Sequence, residues 1–163
     1  MAHPKIKVEA SPSERIFNFL SVLTIIGTFG YTFYMFSSLP ETIPNHFNAA
    51  GEANGWGSRG TVIILPIVVA ILFIGMYVLS KFPHTFNYTI KVTEENASRV
   101  YLIARRLIAI INFEIVVLFT VLQVIIIESA ITGSSISAAF SILFIFVPLI
   151  TCIVFLIKLS KVK

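Results

Sequence analysis

The chain has 163 residues, of which 56% are hydrophobic and only 12% charged, with a net charge of +4 and a mean hydropathy of +0.91. These values lie far beyond the soluble globular range, so they exclude a water-soluble enzyme and leave no room for a separate soluble domain. The expectation is an all-α integral membrane protein forming a single membrane domain over residues 1–163, held by the bilayer and by helix packing.

The chain opens on a polar tail with Lys5, Lys7 and Arg15, followed by a first apolar segment at about 16–36. Its apolar stretch is longer than the core of a signal peptide and no A-x-A pattern follows it, so a retained helix is expected. At about 100° per residue, Asn18, Ser21, Thr24, Thr28, Tyr31 and Thr32 share one broad sector, which should face other helices rather than lipid.

Next comes "LPETIPNHFNAAGEANGWGSRG", which holds one histidine, the only tryptophan and half of the eight glycines. Pro40 and Pro44 fix backbone angles and disfavour helix before each of them, so the first helix should end sharply here. The glycines Gly51, Gly55, Gly57 and Gly60 permit unusual backbone angles, and "NGWG" is a tight-turn signal. A small hairpin or Ω-like lid over 37–60 is expected, seated at the membrane interface by Phe47 and Trp56.

Three chemical roles compete for this loop. A metal site would recruit His46 with Glu41 and Glu52, but the loop offers no second histidine or cysteine. Catalysis would use His46 as a general base, yet Ser37, Ser38 and Ser58 carry no nucleophile motif. The preferred reading has His46 and Asn48 bonding the loop's own backbone and the helix ends, leaving the loop surface free to meet a partner. No catalytic residue, cofactor or metal is therefore expected.

Further apolar segments follow at about 61–80, 107–127 and 136–157, giving four spans of roughly 20 residues each, as a hydrocarbon core requires. The many short alternating strands of a spanning barrel are missing from the sequence. Pro66, Gly75 and Pro148 should bend or thin the second and fourth helices. Between the second and third segments, Pro83 stops the preceding helix and Thr93 should cap the next, with Glu94 and Glu95 favoured by the helix dipole in its first turn. The third helix is thus expected over about 94–127, including a cytoplasmic extension, with Arg105 and Arg106 at the lipid headgroup level and their stems snorkelling along apolar surface.

Inside the third helix, Asn112 and Gln123 are eleven residues apart and lie on nearly one face, whereas Glu114 lies well away from them. A carboxylate there costs about 2.5 to 3.5 kcal/mol on insertion scales, so Glu114 should be protonated, hydrogen-bonded or beside water. It is either a proton or ligand site, or a packing hydrogen bond to a residue such as Asn18 or Thr24. Cys152, the lone cysteine, lies in the fourth segment and reads as a small packing residue that excludes an intrachain disulfide.

Of the twelve cationic residues, eleven fall in the amino-terminal tail, the second connection or the carboxyl-terminal tail, and only Arg59 falls in the first loop. Positive charge near helix ends stays on the cytoplasmic side, so both termini should be cytoplasmic and the glycine-rich loop extracytoplasmic. The basic residues then contact anionic lipids. No direct nucleic-acid partner is expected, because they do not form one face. The two N-x-[ST] sequons, at Asn87 and Asn96, fall on the cytoplasmic side and receive no function.

The residues Leu39, Pro40, Ile43, Pro44, His46, Phe47, Asn48, Gly51, Trp56, Gly57 and Arg59 together resemble the signature of the bacterial membrane family called domain of unknown function 1648, and the likeness extends roughly over 36–107. Asn54 departs from a common aspartate and Arg59 from a common lysine, and the loss of the acid weakens a metal reading further. Relatives of that family include SdpI-type immunity proteins, which protect a bacterium from its own secreted membrane-active toxin and can hold a transcriptional repressor at the membrane. What the resemblance implies is a multi-pass protein of the bacterial plasma membrane whose outer loop meets a toxin peptide or envelope ligand and whose cytoplasmic side binds a regulatory protein. The alternative is a membrane enzyme or transporter for a lipid or small envelope compound, using Glu114 and the polar face of the first helix.

Overall fold

A computed structural model describes residues 3–48 and 50–162. Helix α1 spans Pro12–Met35, several residues earlier than its apolar stretch alone indicates. The reason is local: in "SPSE", the Ser11 side chain accepts from the Glu14 N–H at 3.3 Å, and Pro12 occupies the first helical turn, where its missing N–H has no cost. A single tighter turn, Phe36–Ser38, leads into Leu39 and Pro40.

Strands β1 (Thr42–Phe47) and β2 (Ala53–Ser58) then form an antiparallel hairpin. The reversal lies at 48–52 rather than in "NGWG", which is strand. Asn48 builds it by accepting the Ala50 and Glu52 N–H groups on its side-chain oxygen, at 2.9 and 3.0 Å, an Asx-type turn. The "NGWG" glycines have a different use. A Cβ at Gly55 would lie 2.7 Å from the His46 Cβ, and one at Gly57 2.6 Å from the Asn45 amide nitrogen, so both glycines let strand β1 side chains fold across β2.

A tighter helical segment, Arg59–Ile63, runs into α2, Ile64–Leu79. Pro66 falls in the first turn of α2, a position that tolerates proline. At the far end, Thr93 and Asn96 exchange bonds, the Thr93 N–H donating to the Asn96 side chain at 2.9 Å and the Asn96 N–H to the Thr93 hydroxyl at 3.3 Å. The reciprocal pair has the form of a capping box with asparagine in the usual acidic position. It closes the turn over 94–96, however, and the helix itself begins only after Asn96, so Glu94 and Glu95 precede its first turn instead of lying in it as expected.

Helix α3 then runs over Ala97–Thr132, about 54 Å at 1.5 Å per residue, well beyond a hydrocarbon core of about 30 Å. It continues five residues past its expected end because Gly133 is the first residue able to take the left-handed capping conformation cheaply, at φ 74°. Helix α4 spans Ala138–Ser160 with Pro148 inside it.

All four helical segments are long and apolar enough to cross a membrane. Helix α3 lies at the centre, packing on α1, α2 and α4, while α4 rests mainly on α3. Three apolar clusters mark the depth of the bundle. Leu39, Ile43, Val62 and Ile127 lie beneath the hairpin; Val69, Phe73 and Val116 occupy the middle; Ala97, Val100, Tyr101 and Leu159 fill the opposite end. Both described ends of the chain and the 80–96 connection gather at that opposite end, and of the cationic side chains described, only Arg59 belongs to the hairpin end.

The hairpin is pinned at its tip as well as its base. Gly51 takes φ +80°, its carbonyl accepts the Ile136 N–H at 2.8 Å, and a Cβ there would collide with the Ile136 carbonyl oxygen. Replacing Gly51 by alanine should cost about 1–3 kcal/mol from backbone strain, besides the loss of docking. Gly30→Ala, at an exposed helical position with nothing within 4 Å, should be neutral or slightly stabilising. Thermal unfolding of the two variants in detergent checks the contrast.

Candidate functional site

Three groups of polar residues stand out: the outer face of the hairpin, the carboxamides and carboxylate within α3, and an ion pair at the opposite end. On the hairpin, β1 and β2 are out of step by one residue on each strand, at Asn45 and at Asn54, and such bulges re-aim side chains. Here the irregularity brings His46 Nδ1 to 2.5 Å from Asn54 Oδ1. His46 is thus engaged by its own hairpin, as the preferred reading held, though through a side chain rather than the backbone.

Asn48 spends its oxygen on the turn and donates its amide to Glu52 Oε2 at 3.0 Å. Arg59 lies over the Phe36 ring at 5.4 Å, and its N–H bonds the Glu41 carbonyl at 2.9 Å. Pro44 is buried, Pro40 exposed, and Trp56 leaves 59% of its surface open. Phe47, by contrast, turns inward and lines a cavity of about 320 Å³ with Gly51, Leu122, Ile136, Phe140 and Phe144. The hairpin therefore offers one exposed aromatic, not the expected pair. Among the described residues no three histidine, cysteine or acidic side chains gather to hold a metal.

Within the bundle, Asn112 and Gln123 do face other elements together. Asn112 Nδ2 donates to the Phe73 carbonyl of α2 at 3.1 Å. Gln123 Nε2 donates to Thr32 Oγ1 of α1 at 3.1 Å and to the Val62 carbonyl at 3.0 Å. The Thr28 and Thr120 hydroxyls meet at 2.7 Å, so the α1 stripe does turn toward α3. Thr24 bonds only its own helix, through the Leu20 carbonyl, and Asn18 is half-buried beside Phe73 and Tyr77.

Glu114 is hydrogen-bonded to another helix, but the partner is Thr151 of α4, whose hydroxyl donates to Oε1 at 2.6 Å, and not Asn18 or Thr24. Helix α3 carries Glu114 on the side away from α1, where the fourth helix supplies the nearest donor.

Sequence reasoning missed the third group. Arg105 does not snorkel to the headgroups. It is buried and donates through Nη2 to Glu14 Oε1 at 2.7 Å and through Nη1 to the Val8 carbonyl. Lys81 approaches the same carboxylate oxygen at 4.0 Å, and the Tyr101 hydroxyl donates to the Pro4 carbonyl at 2.7 Å. Arg106 stays exposed, as expected. The amino-terminal strap is thus tied across α3 by two long side chains. Nearby, burial and the adjacent Tyr101 push the Tyr88 phenol up, so it stays neutral and donates to the Pro83 carbonyl. The local signal is "SPSE": Ser11 caps α1 through the Glu14 N–H, which sets where α1 starts and puts Glu14 in its first turn, while Arg105 lies two residues before the third apolar run.

Compared with known proteins, residues 23–70 match the family model of a domain of unknown function, DUF1648. The match begins within α1, spans the whole hairpin and ends in α2, so the recognition resting on Leu39 to Arg59 holds, while its expected extension to Leu107 lies outside the match. An uncharacterized protein of Archaeoglobus fulgidus is 36% identical over 66 residues, covering 40% of this chain and 36% of that relative's length. No solved structure matches.

Removing one partner of a buried ion pair strands the other charge, at a typical cost of about 3–5 kcal/mol. Arg105→Ala should therefore destabilise strongly, whereas Glu14→Gln with Arg105→Met, which removes both charges, should cost much less. Thermal melts of the single and double variants, with limited proteolysis of the amino-terminal strap, check this.

Proposed function

We propose that the protein is non-enzymatic and acts in the bacterial cytoplasmic membrane, in immunity to or sensing of a secreted membrane-active peptide that its hairpin recognises. The observation that carries this reading is a hairpin fixed at base and tip that still leaves Trp56 and His46 exposed. A surface fixed in advance loses little conformational entropy on binding, and exposed tryptophan is a frequent anchor of recognition. The cation asymmetry supports an orientation with both termini cytoplasmic and the hairpin outside. The basic, ion-paired opposite end then adjoins anionic lipid and is the surface a cytoplasmic regulatory protein would meet.

The alternative, an enzyme or transporter using Glu114 with the polar face of α1, gains little support from the geometry. Glu114 bonds α4, while the α1 hydroxyls meet Thr120 and Gln123, so the two do not form one site.

Expressed in a host sensitive to membrane-active peptides, the protein should raise tolerance to at least one of a panel. Trp56→Ala and His46→Ala should lower that protection by about tenfold or more, as expected for a recognition anchor, at unchanged membrane abundance. Glu114→Gln should leave it intact. No protection against any peptide, or loss of protection with Glu114→Gln alone, overturns the reading.

A further inference from the structure

A groove of about 320 Å³ lies between β1, the start of α2 and α3, bordered by Asn45, Thr61, Ile64, Val68, Gln123 and Ile126. Gln123 is its one deeply buried polar side chain, with 1% of its surface exposed. The Val62 carbonyl can only accept a hydrogen bond, so the atom donating to it must be the amide nitrogen, and the second amide hydrogen goes to Thr32. Both donors are used. The oxygen Oε1, an acceptor only, is buried with no partner among the described residues, an arrangement that a donor relieves.

Two further observations define that donor. None of the groove's lining residues carries a formal charge, so an ionised head would be desolvated without compensation. Ile64 and Val68 are exposed on a helix long and apolar enough to span the membrane, so the groove opens toward acyl chains near the hairpin end. Its size is at the small end of ligand sites, roughly 300–1,000 Å³, which suits a headgroup and its first methylenes rather than a whole lipid. We propose that this groove binds the hydroxyl-bearing head of a neutral membrane lipid, of the monoacylglycerol type, with a hydroxyl donating to Gln123 Oε1 and the chain lying along Ile64 and Val68. The site stands apart from peptide recognition by Trp56, so Trp56→Ala should leave it intact.

The test uses the purified full chain in detergent and a monoacylglycerol with a photoreactive diazirine on the acyl chain near its head. An ionised fatty acid of equal chain length carries the same group for comparison. Label from the monoacylglycerol should concentrate on residues 61–68 and 123–126, be displaced by unlabelled monoacylglycerol, and exceed that from the fatty acid. Gln123→Leu should weaken labelling there by about tenfold, the order expected for one buried hydrogen bond. Val68→Trp fills the groove from its exposed wall without touching the Gln123 bonds, and should abolish the local label even if Gln123→Leu loosens the bundle. Even labelling over the exposed faces of α2 and α4, equal labelling by the fatty acid, or a local label that survives Val68→Trp would overturn the proposal.

Discussion

The carboxamide of Gln123 is the tie on which the hairpin end of the protein depends. In a hydrocarbon environment a polar side chain must find its partners within the protein, because neither lipid nor water supplies them at depth. Gln123 meets that demand by holding Thr32 of α1 with one hydrogen and the Val62 carbonyl, where β2 passes into α2, with the other. One side chain thereby fixes three elements: the end of α1, the entry to α2 and the central helix α3. Leu39, Ile43, Val62 and Ile127 then close over it as an apolar layer, and the hairpin rests on that layer.

From this tie the placement of the hairpin follows. Its base is set by Ile43, buried to 1% exposure, and its tip by the Gly51 carbonyl meeting the Ile136 N–H. A strand pair joined to the bundle at one point would swing, since an isolated two-stranded hairpin is marginal in water. Joined at both, it carries Trp56 and the His46–Asn54 pair at a fixed place above α1–α4. The groove beside Gln123 is the other consequence of the same geometry, because the carboxamide that ties the elements together keeps one oxygen unused.

The opposite end is held by a different force. Glu14, Arg105 and Lys81 come together where the chain leaves the apolar region, and a buried pair of this kind contributes registry more dependably than net stability. It fixes α1 against α3 and secures the strap from Pro4 to Ser11, to which Tyr101 and Arg105 donate. Glu114 is held more lightly, by the Thr151 hydroxyl, in keeping with α4 resting mainly on α3.

The sequence by itself determined the four helices, their order, the grouping of the cationic residues and the existence of a shaped loop, because hydropathy, proline and glycine act locally and leave their mark residue by residue. It also determined that Asn112 and Gln123 share a face, since helical periodicity is a property of spacing alone. Only the tertiary structure decided the partners. Arg105 reads from sequence as a headgroup residue because its neighbours are apolar, and what buries it instead is Glu14, 91 residues away. Glu114 turned to Thr151, and "NGWG" became strand rather than turn, because Asn45 and His46 need room from the strand opposite. Each of these outcomes depends on which helix or strand lies alongside, and the spacing of residues within one segment does not encode its neighbours.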